Sequence, residues 1–357
     1  MTAPILEVTG LSKVYSASRG PFRRQKSATV VDNVSFRIEK GSTFGLVGES
    51  GSGKSTIGRA VLRLVEPDAG RISFDGIDVR ALDAASLKRL RRRMQIIFQD
   101  PFSSLDPRVR IGRAIAEPIR LHGLRSGSAL DRRVDELLEL VGLAAHHRHR
   151  FPHEFSGGQR QRVAIARALA VEPELIVCDE PVSALDVSIQ AQVLNLLEEL
   201  RQQLGVSFLF ISHDMAVVRH FASHVGVLYA GTLVETGPAA EVFARPRHPY
   251  TRMLLAATPS LAGRPRTRDD TVSGEPPSPY LRPAGCPFVS RCSYATERCR
   301  AERPTLETFT DGRQRAACWH AGSLPQHGAL ADDETLMSEA YRRRMALLRA
   351  ARAEVHG

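Results

Sequence analysis

Residues Phe44–Ser55 read FGLVGESGSGKS, a short apolar run that enters a glycine-rich turn and ends on Lys54 and Ser55. Phe44–Val47 has the length and composition of a buried strand, and helical periodicity begins near Lys54. Between them, Gly48–Ser55 satisfies GxxxxGK[ST] in the strand-to-helix setting that its chemistry requires. The glycines let the backbone turn its N–H groups inward, where they and the positive end of the following helix cradle phosphate oxygens. Lys54 is placed to reach the β- and γ-phosphates of a nucleoside triphosphate, and Ser55 to offer its hydroxyl to Mg²⁺. Gly48, Glu49, Ser50, Gly51, Ser52, Gly53, Lys54, Ser55 and Thr56 are therefore candidate nucleotide contacts. Such a loop does not by itself separate transporters from kinases, GTPases or helicases.

The second half of a phosphate site follows at Leu175–Glu180, LIVCDE, a hydrophobic strand ending in two carboxylates. Asp179 is placed to hold Mg²⁺, directly or through water, which leaves Glu180 to orient or deprotonate an attacking water. Phosphoryl transfer needs little covalent help from a protein and depends on positioning.

Around these two stretches, residues from Ile5 to about Pro259 alternate short β-branched runs with helix-length segments, predicting a layered α/β domain with a largely parallel sheet. Val34–Ile38 reads as an early strand. Leu175–Cys178 and Ser207–Ile211 read as buried strands joined by a helix with Val193, Leu197, Leu200 and Leu204 on one face and Gly205 as its stop. From Pro107 to about Ala170 the periods are helical with no convincing strand, predicting a helical subdomain inserted into the core. After Pro259 the composition turns to Pro, Gly and Arg, as in a spacer, and a cysteine-bearing module follows. From about Asp332 a basic amphipathic helix is predicted, with Met337, Tyr341, Met345 and Leu348 on one stripe.

The formal net charge of +10 invites a nucleic-acid reading, but only five of the 49 basic residues are lysines and the arginines are spread along the chain rather than gathered in a stripe. No nucleic-acid partner is expected. The N-terminus MTAPILEVTG lacks the charged and apolar regions of a secretory signal, and no apolar run is long enough to cross a bilayer. A cytoplasmic chain is expected, with any membrane role exerted through partners.

Ser156–Gln159 spells SGGQ, preceded by Phe155 and followed by RQRVAIARALA in helical period. A serine and two glycines at a helix start make a second anion-binding element. This stretch resembles the signature sequence of the ABC ATPases. The resemblance implies a P-loop NTPase fold with an inserted helical subdomain and assigns further residues. Tyr15 matches the aromatic that stacks on adenine, and Gln99 in IIFQDP matches the Q-loop that senses γ-phosphate and Mg²⁺. Ser183–Asp186, SALD, resembles the D-loop, and His213 in FISHD resembles the switch histidine. Lys54, Gln99, Glu180 and His213 are then the catalytic candidates. Ser156, Gly157, Gly158, Gln159 and Asp186 join Tyr15 and the loop 48–56 in the nucleotide site. Ser55, Gln99 and Asp179 are the Mg²⁺ candidates.

Within that superfamily the insertion Ser16–Thr29, the run QDPFSSLDPR after Gln99, Phe155 in place of a commoner leucine, RHPYTRMLLAATP and GCPFVSRC resemble the ATP-binding subunits of oligopeptide and dipeptide permeases over roughly residues 5–320. This implies residues 1–260 as the nucleotide-binding domain, with its helical subdomain at about 101–170. Residues 261–325 would form the C-terminal extension and 326–357 a basic helical tail. It also implies ATP as cofactor and a place on the cytoplasmic face of the membrane. The implied partners are a second ATPase chain, a heterodimer being the expectation, two transmembrane permease chains and an extracytoplasmic binding protein. Importers of nickel and other small solutes use similar ATPases, and a soluble ABC ATPase acting on nucleic acid or a non-hydrolysing partner cassette are the rival readings.

Cys178 lies in an apolar strand, whereas Cys286, Cys292, Cys299 and Cys318 are grouped. In a reducing compartment grouped cysteines favour metal over disulfides, but the spacings do not form CxxC pairs. The resemblance implies that the four can carry a [4Fe-4S] cluster; reduced structural thiols are the alternative.

Overall fold

The computed structural model describes residues 3–17, 26–100, 104–257, 274–309 and 312–325. The tail helix expected from Asp332, most of the spacer after Pro259 and part of the insertion 16–29 lie outside them.

Two sheets share one hydrophobic core, and a second core lies on the other face of the larger sheet. Strands β1 (Pro4–Ala17), β2 (Lys26–Glu39), β3 (Thr43–Val47), β4 (Ala69–Phe74) and β5 (Ile77–Asp78) open the chain. β2, β1, β4 and β5 form an antiparallel four-stranded sheet in that order. The second strand starts at Lys26, earlier than the sequence pattern at Val34–Ile38 suggests, because its first half pairs with β1 on a solvent-facing hairpin where the apolar alternation fades.

The main sheet runs β11 (Glu307–Thr308), β12 (Arg315–Ala316), β10 (Thr232–Pro238), β9 (His224–Tyr229), β3, β8 (Ser207–Ser212), β7 (Leu175–Asp179) and β6 (Met94–Ile97). From β9 to β6 the pairing is parallel. β3, β7 and β8 sit inside this sheet, and every residue of each is buried, which is why they read as continuous apolar runs. Their carboxyl ends open on one edge, the usual place for a ligand in an open α/β sheet.

The helix joining β7 to β8 spans Val187–Leu204 and stops at Gly205, whose φ of 67° suits glycine. Val193, Leu197 and Leu200 are buried as expected, but Leu204, the last residue of the helix, is 49% exposed. Helices Ile111–Leu121, Gly127–Leu140 and Gly157–Leu169 occupy the stretch of helical period, packing Ile115, Val134, Leu137 and Ile165 into a common core.

The C-terminal extension differs from a detached module. β12 pairs with β10 through Glu235↔Ala316 and Thr236↔Arg315, so the extension lengthens the main sheet. Beside this seam the buried Glu235 carboxylate accepts from Gln314 Nε2 at 2.6 Å and from the backbone of Arg247 and His248 at 2.7 and 3.0 Å.

Candidate active site

Because β3 is central, the loop that leaves it lies over the middle of the sheet edge. Gly48 is pressed against β9, where a Cβ would stand 2.2 Å from the carbonyl oxygen of Leu228, and Gly53 has φ 105° with Val30 O 2.5 Å from a Cβ position. Neither place accepts a side chain. This tight seating lets the helix Lys54–Val61 begin directly beneath the loop. Lys54 is buried, and its Nζ donates to Gly48 O at 2.7 Å and Glu49 O at 2.9 Å. Burial lowers its pKa, against the opposing pull of Glu180, Asp179 and Glu49.

At the neighbouring strand end Ser55 Oγ donates to Asp179 Oδ1 at 2.6 Å, and Arg59 stands 3.9 Å from the other carboxylate oxygen. Burial pushes the Asp179 carboxyl above its usual range in spite of the Ser55 hydrogen bond. A hydroxyl and a carboxylate side by side form an oxygen donor set suited to Mg²⁺.

Glu180 follows in a left-handed conformation, φ 48°, with its N–H donating to Ile211 O at 3.0 Å. A non-glycine residue held there stores backbone strain, a trait that clusters at functional sites. Its Oε2 accepts from Gln99 Nε2 at 3.1 Å and lies 3.1 Å from His213 Nδ1, while Oε1 is 4.0 Å from Lys54 Nζ. Four strand ends, those of β3, β6, β7 and β8, thus bring Lys54, Gln99, Glu180 and His213 to one place.

The other candidates stand apart. Tyr15 pairs with Ala28 across the β1–β2 hairpin and is 43% exposed, with Lys13 Nζ 5.3 Å from its ring centroid. Ser156 caps the helix Gly157–Leu169: Gln159 N–H donates to Ser156 Oγ at 3.3 Å and Ser156 N–H to Gln159 Oε1 at 3.0 Å. Among the described residues no hydrogen bond joins Ser156, Gly157, Gly158 or Gln159 to the loop 48–56. Gly158 packs instead on the helix that follows Asp186, where a Cβ would meet Ile189 Cγ2 at 2.4 Å. Replacing Ser156 with alanine removes one arm of the capping box and is expected to lower stability by about 1 kcal/mol, read as a shifted denaturant midpoint.

Cys178 is buried in β7, and burial drives its thiol well above the usual range, so it is inert core. Cys286, Cys292, Cys299 and Cys318 line one small cavity with His320. The Cys299 Sγ lies 3.5 Å from His320 Nε2. Burial raises Cys286, pushes Cys292 up to about 11 and pushes Cys318 up to about 12. Among the described residues no group of three or more His, Cys, Asp or Glu is placed to hold a metal ion. The iron–sulfur expectation thus finds no support among the described residues.

Sequence reasoning missed one contact of the phosphate loop. Arg291 of the extension forms an ion pair with Glu49 in the phosphate loop at 2.8 Å. The residue lies inside the GCPFVSRC stretch, but nothing local in that stretch discloses a partner so distant in sequence.

Comparison with known proteins bears on the same residues. The ABC transporter family model matches residues 31–183, and the C-terminal region of oligopeptide/dipeptide transporters matches residues 234–299. A peptide import ATP-binding protein of Brucella ovis is 50% identical over 313 residues, covering 88% of this chain and 97% of its own. The chain belongs to the ATP-binding subunits of ABC transporters, in the oligopeptide/dipeptide branch. A dipeptide transport ATP-binding protein of Haemophilus influenzae, 45% identical, covers 89% of this chain and 97% of its own. The structure of a dimeric ATP-binding cassette bound to ADP and Pi superimposes with TM-score 0.59 and 29% identity, over 66% of this ABC ATPase and 98% of that chain. No helix among the described residues of this ABC ATPase is long and apolar enough to cross a membrane.

Proposed function

We propose that this ABC ATPase couples hydrolysis of Mg-ATP to import of oligopeptides or dipeptides from the cytoplasmic face of the membrane. In this reading the amides of residues 48–56 and the Lys54 ammonium hold the phosphates, and Tyr15 stacks on the adenine. Ser55 and Asp179, with Gln99 beside them, hold Mg²⁺, which when bound supplies positive charge against the phosphate oxygens. Glu180 takes the proton of the attacking water or orients it, and Gln99 and His213 keep its carboxylate aimed.

The observation that carries the catalytic part is the convergence of Gln99, His213 and Lys54 on the single carboxylate of Glu180. The signature residues Ser156–Gln159 would complete the site of a second cassette, as their resemblance to the ABC signature implies. Val187, next to Asp186, is 82% exposed, as expected of a face that meets such a partner. Two permease chains and an extracytoplasmic binding protein would complete the importer. The cargo reading is supported by the printed functions of the relatives and by the match over residues 234–299.

The test is reconstitution in vesicles with the permease, cassette and binding-protein products of adjacent genes. Peptide-stimulated ATP hydrolysis with uptake of labelled dipeptide or oligopeptide is the expected result. Stimulation by nickel ions, or by DNA or RNA in a salt-sensitive manner, with no response to peptide would replace the cargo reading.

A further inference from the structure

Arg291 and Glu49 are 242 positions apart, yet Nη1 and Nη2 of the arginine donate to the two carboxylate oxygens of Glu49 at 2.8 Å each. The arginine side chain is 7% exposed. Its guanidinium carbon lies 5.7 Å from the ring centroids of both Tyr229 and Phe288, and Nη1 also reaches Tyr229 Oη at 3.4 Å. The fork is therefore seated in an aromatic pocket with Glu49 as its charged partner.

The backbone of Glu49 is held as well. Its N–H donates to Tyr250 Oη at 2.8 Å, and its carbonyl accepts from Lys54 Nζ at 2.9 Å and from Ser52 N–H at 3.2 Å. Side chain and amide of one phosphate-loop residue are thus fixed by Arg291 and Tyr250, both from the C-terminal part of the chain. The carbonyl of that same residue steers the ammonium group meant for phosphate.

Docking of the extension does not explain Arg291. Arg282 ties it to Asp32 at 2.6 Å and to the carbonyls of Thr29 and Ala230 at 3.0 and 2.7 Å, Arg303 reaches Asp32 at 2.8 Å, and β12 is zipped to β10. None of those contacts touches the loop 48–56. A bidentate arginine–carboxylate pair fixes orientation as well as distance, which a lysine does not.

We propose that Arg291 is a positioning residue for the phosphate loop, through which the C-terminal extension sets the affinity for Mg-ATP. The inference rests on Gly48–Thr56 being the nucleotide phosphate site. Without Arg291, Glu49 turns to solvent, the loop backbone gains freedom, and Lys54 loses its fixed departure point. Because the groups that touch the reacting atoms are unchanged, the loss falls on nucleotide binding more than on the chemical step.

The experiment uses the full chain assembled with its transporter partners and compares Arg291→Ala, Arg291→Lys, Glu49→Gln and the Arg291→Ala/Glu49→Gln double variant, with Lys54→Ala as control. KM for Mg-ATP is expected to rise about ten- to a hundredfold in Arg291→Ala and Glu49→Gln, with kcat nearly kept. The double variant should be no worse than the worse single one, because both remove the same link. Arg291→Lys should recover only part of the affinity, and hydrogen exchange at residues 48–55 should quicken in step with KM. Unchanged KM in Glu49→Gln and Arg291→Lys while Lys54→Ala abolishes binding overturns the proposal, as does full additivity in the double variant. A lowered melting temperature with KM unmoved assigns Arg291 a structural role alone. If Lys54→Ala also binds Mg-ATP normally, the phosphate-site reading itself is what fails. Should Arg291→Ala not fold, Glu49→Gln and Arg291→Lys still decide, since both leave the Arg282 and β12 anchors in place.

Discussion

Glu180→Gln is expected to leave Mg-ATP bound and unhydrolysed, with turnover lowered by about 10²- to 10⁴-fold. The amide matches the carboxylate in shape, and with its oxygen at the Oε2 position it still accepts from Gln99 and still faces His213, which lie 3.1 Å away. The left-handed backbone at φ 48° is no harder for glutamine than for glutamate, so the side chain keeps its aim. What disappears is a base able to receive the proton of an attacking water. The negative charge 4.0 Å from Lys54 also goes, which leaves the ammonium group freer to serve the incoming phosphates. Affinity for ATP should therefore hold or improve while chemistry stops, a split seen as ATP rather than ADP in the nucleotide extracted from the isolated complex. Single-turnover phosphate release at the wild-type rate would place the base on another residue.

The phosphate loop and the sequence LIVCDE were legible because each is a contiguous segment whose neighbours in the chain are its neighbours in space. A buried strand feeding a glycine turn, or ending in two carboxylates, has one plausible placement at the edge of a parallel sheet. Gln99 and His213 were legible only through resemblance, since a glutamine or histidine after a strand has no spacing rule that ties it to Glu180. Contacts made by the fold across hundreds of residues were not legible: the Arg291–Glu49 fork needs the extension to be zipped to β10 before the two meet. The cysteines are an intermediate case. Their grouping in sequence does bring them to one cavity, but ligation depends on how the sulfurs face one another, which spacing along the chain does not carry, and among the described residues they form no metal-holding group.

Lys54→Met is expected to weaken Mg-ATP binding by about 10²-fold or more, equivalent to about 3 kcal/mol. The methionine fills most of the lysine stem's space, so the loss isolates the ammonium group rather than a cavity. That group is buried beneath the loop and holds the carbonyls of Gly48 and Glu49 at 2.7 and 2.9 Å, the points from which the loop curves around a phosphate tail. Desolvation already lowers its pKa, so keeping it charged there costs folding free energy that binding of a triphosphate recovers. Removing the ammonium also strands the carbonyls of Gly48 and Glu49 and leaves the Glu180 carboxylate without its nearby cation, so the melting temperature of the nucleotide-free chain should fall as affinity collapses. Lys54→Arg should not rescue binding, because a planar guanidinium cannot enter a slot shaped for a tapering ammonium between two carbonyls. Calorimetric titration of Mg-ATP set beside thermal melts of the three chains checks both halves. A Lys54→Met chain that melts lower and yet binds Mg-ATP like the wild type would make this lysine a strut of the loop and overturn the reading of residues 48–56 as the phosphate site.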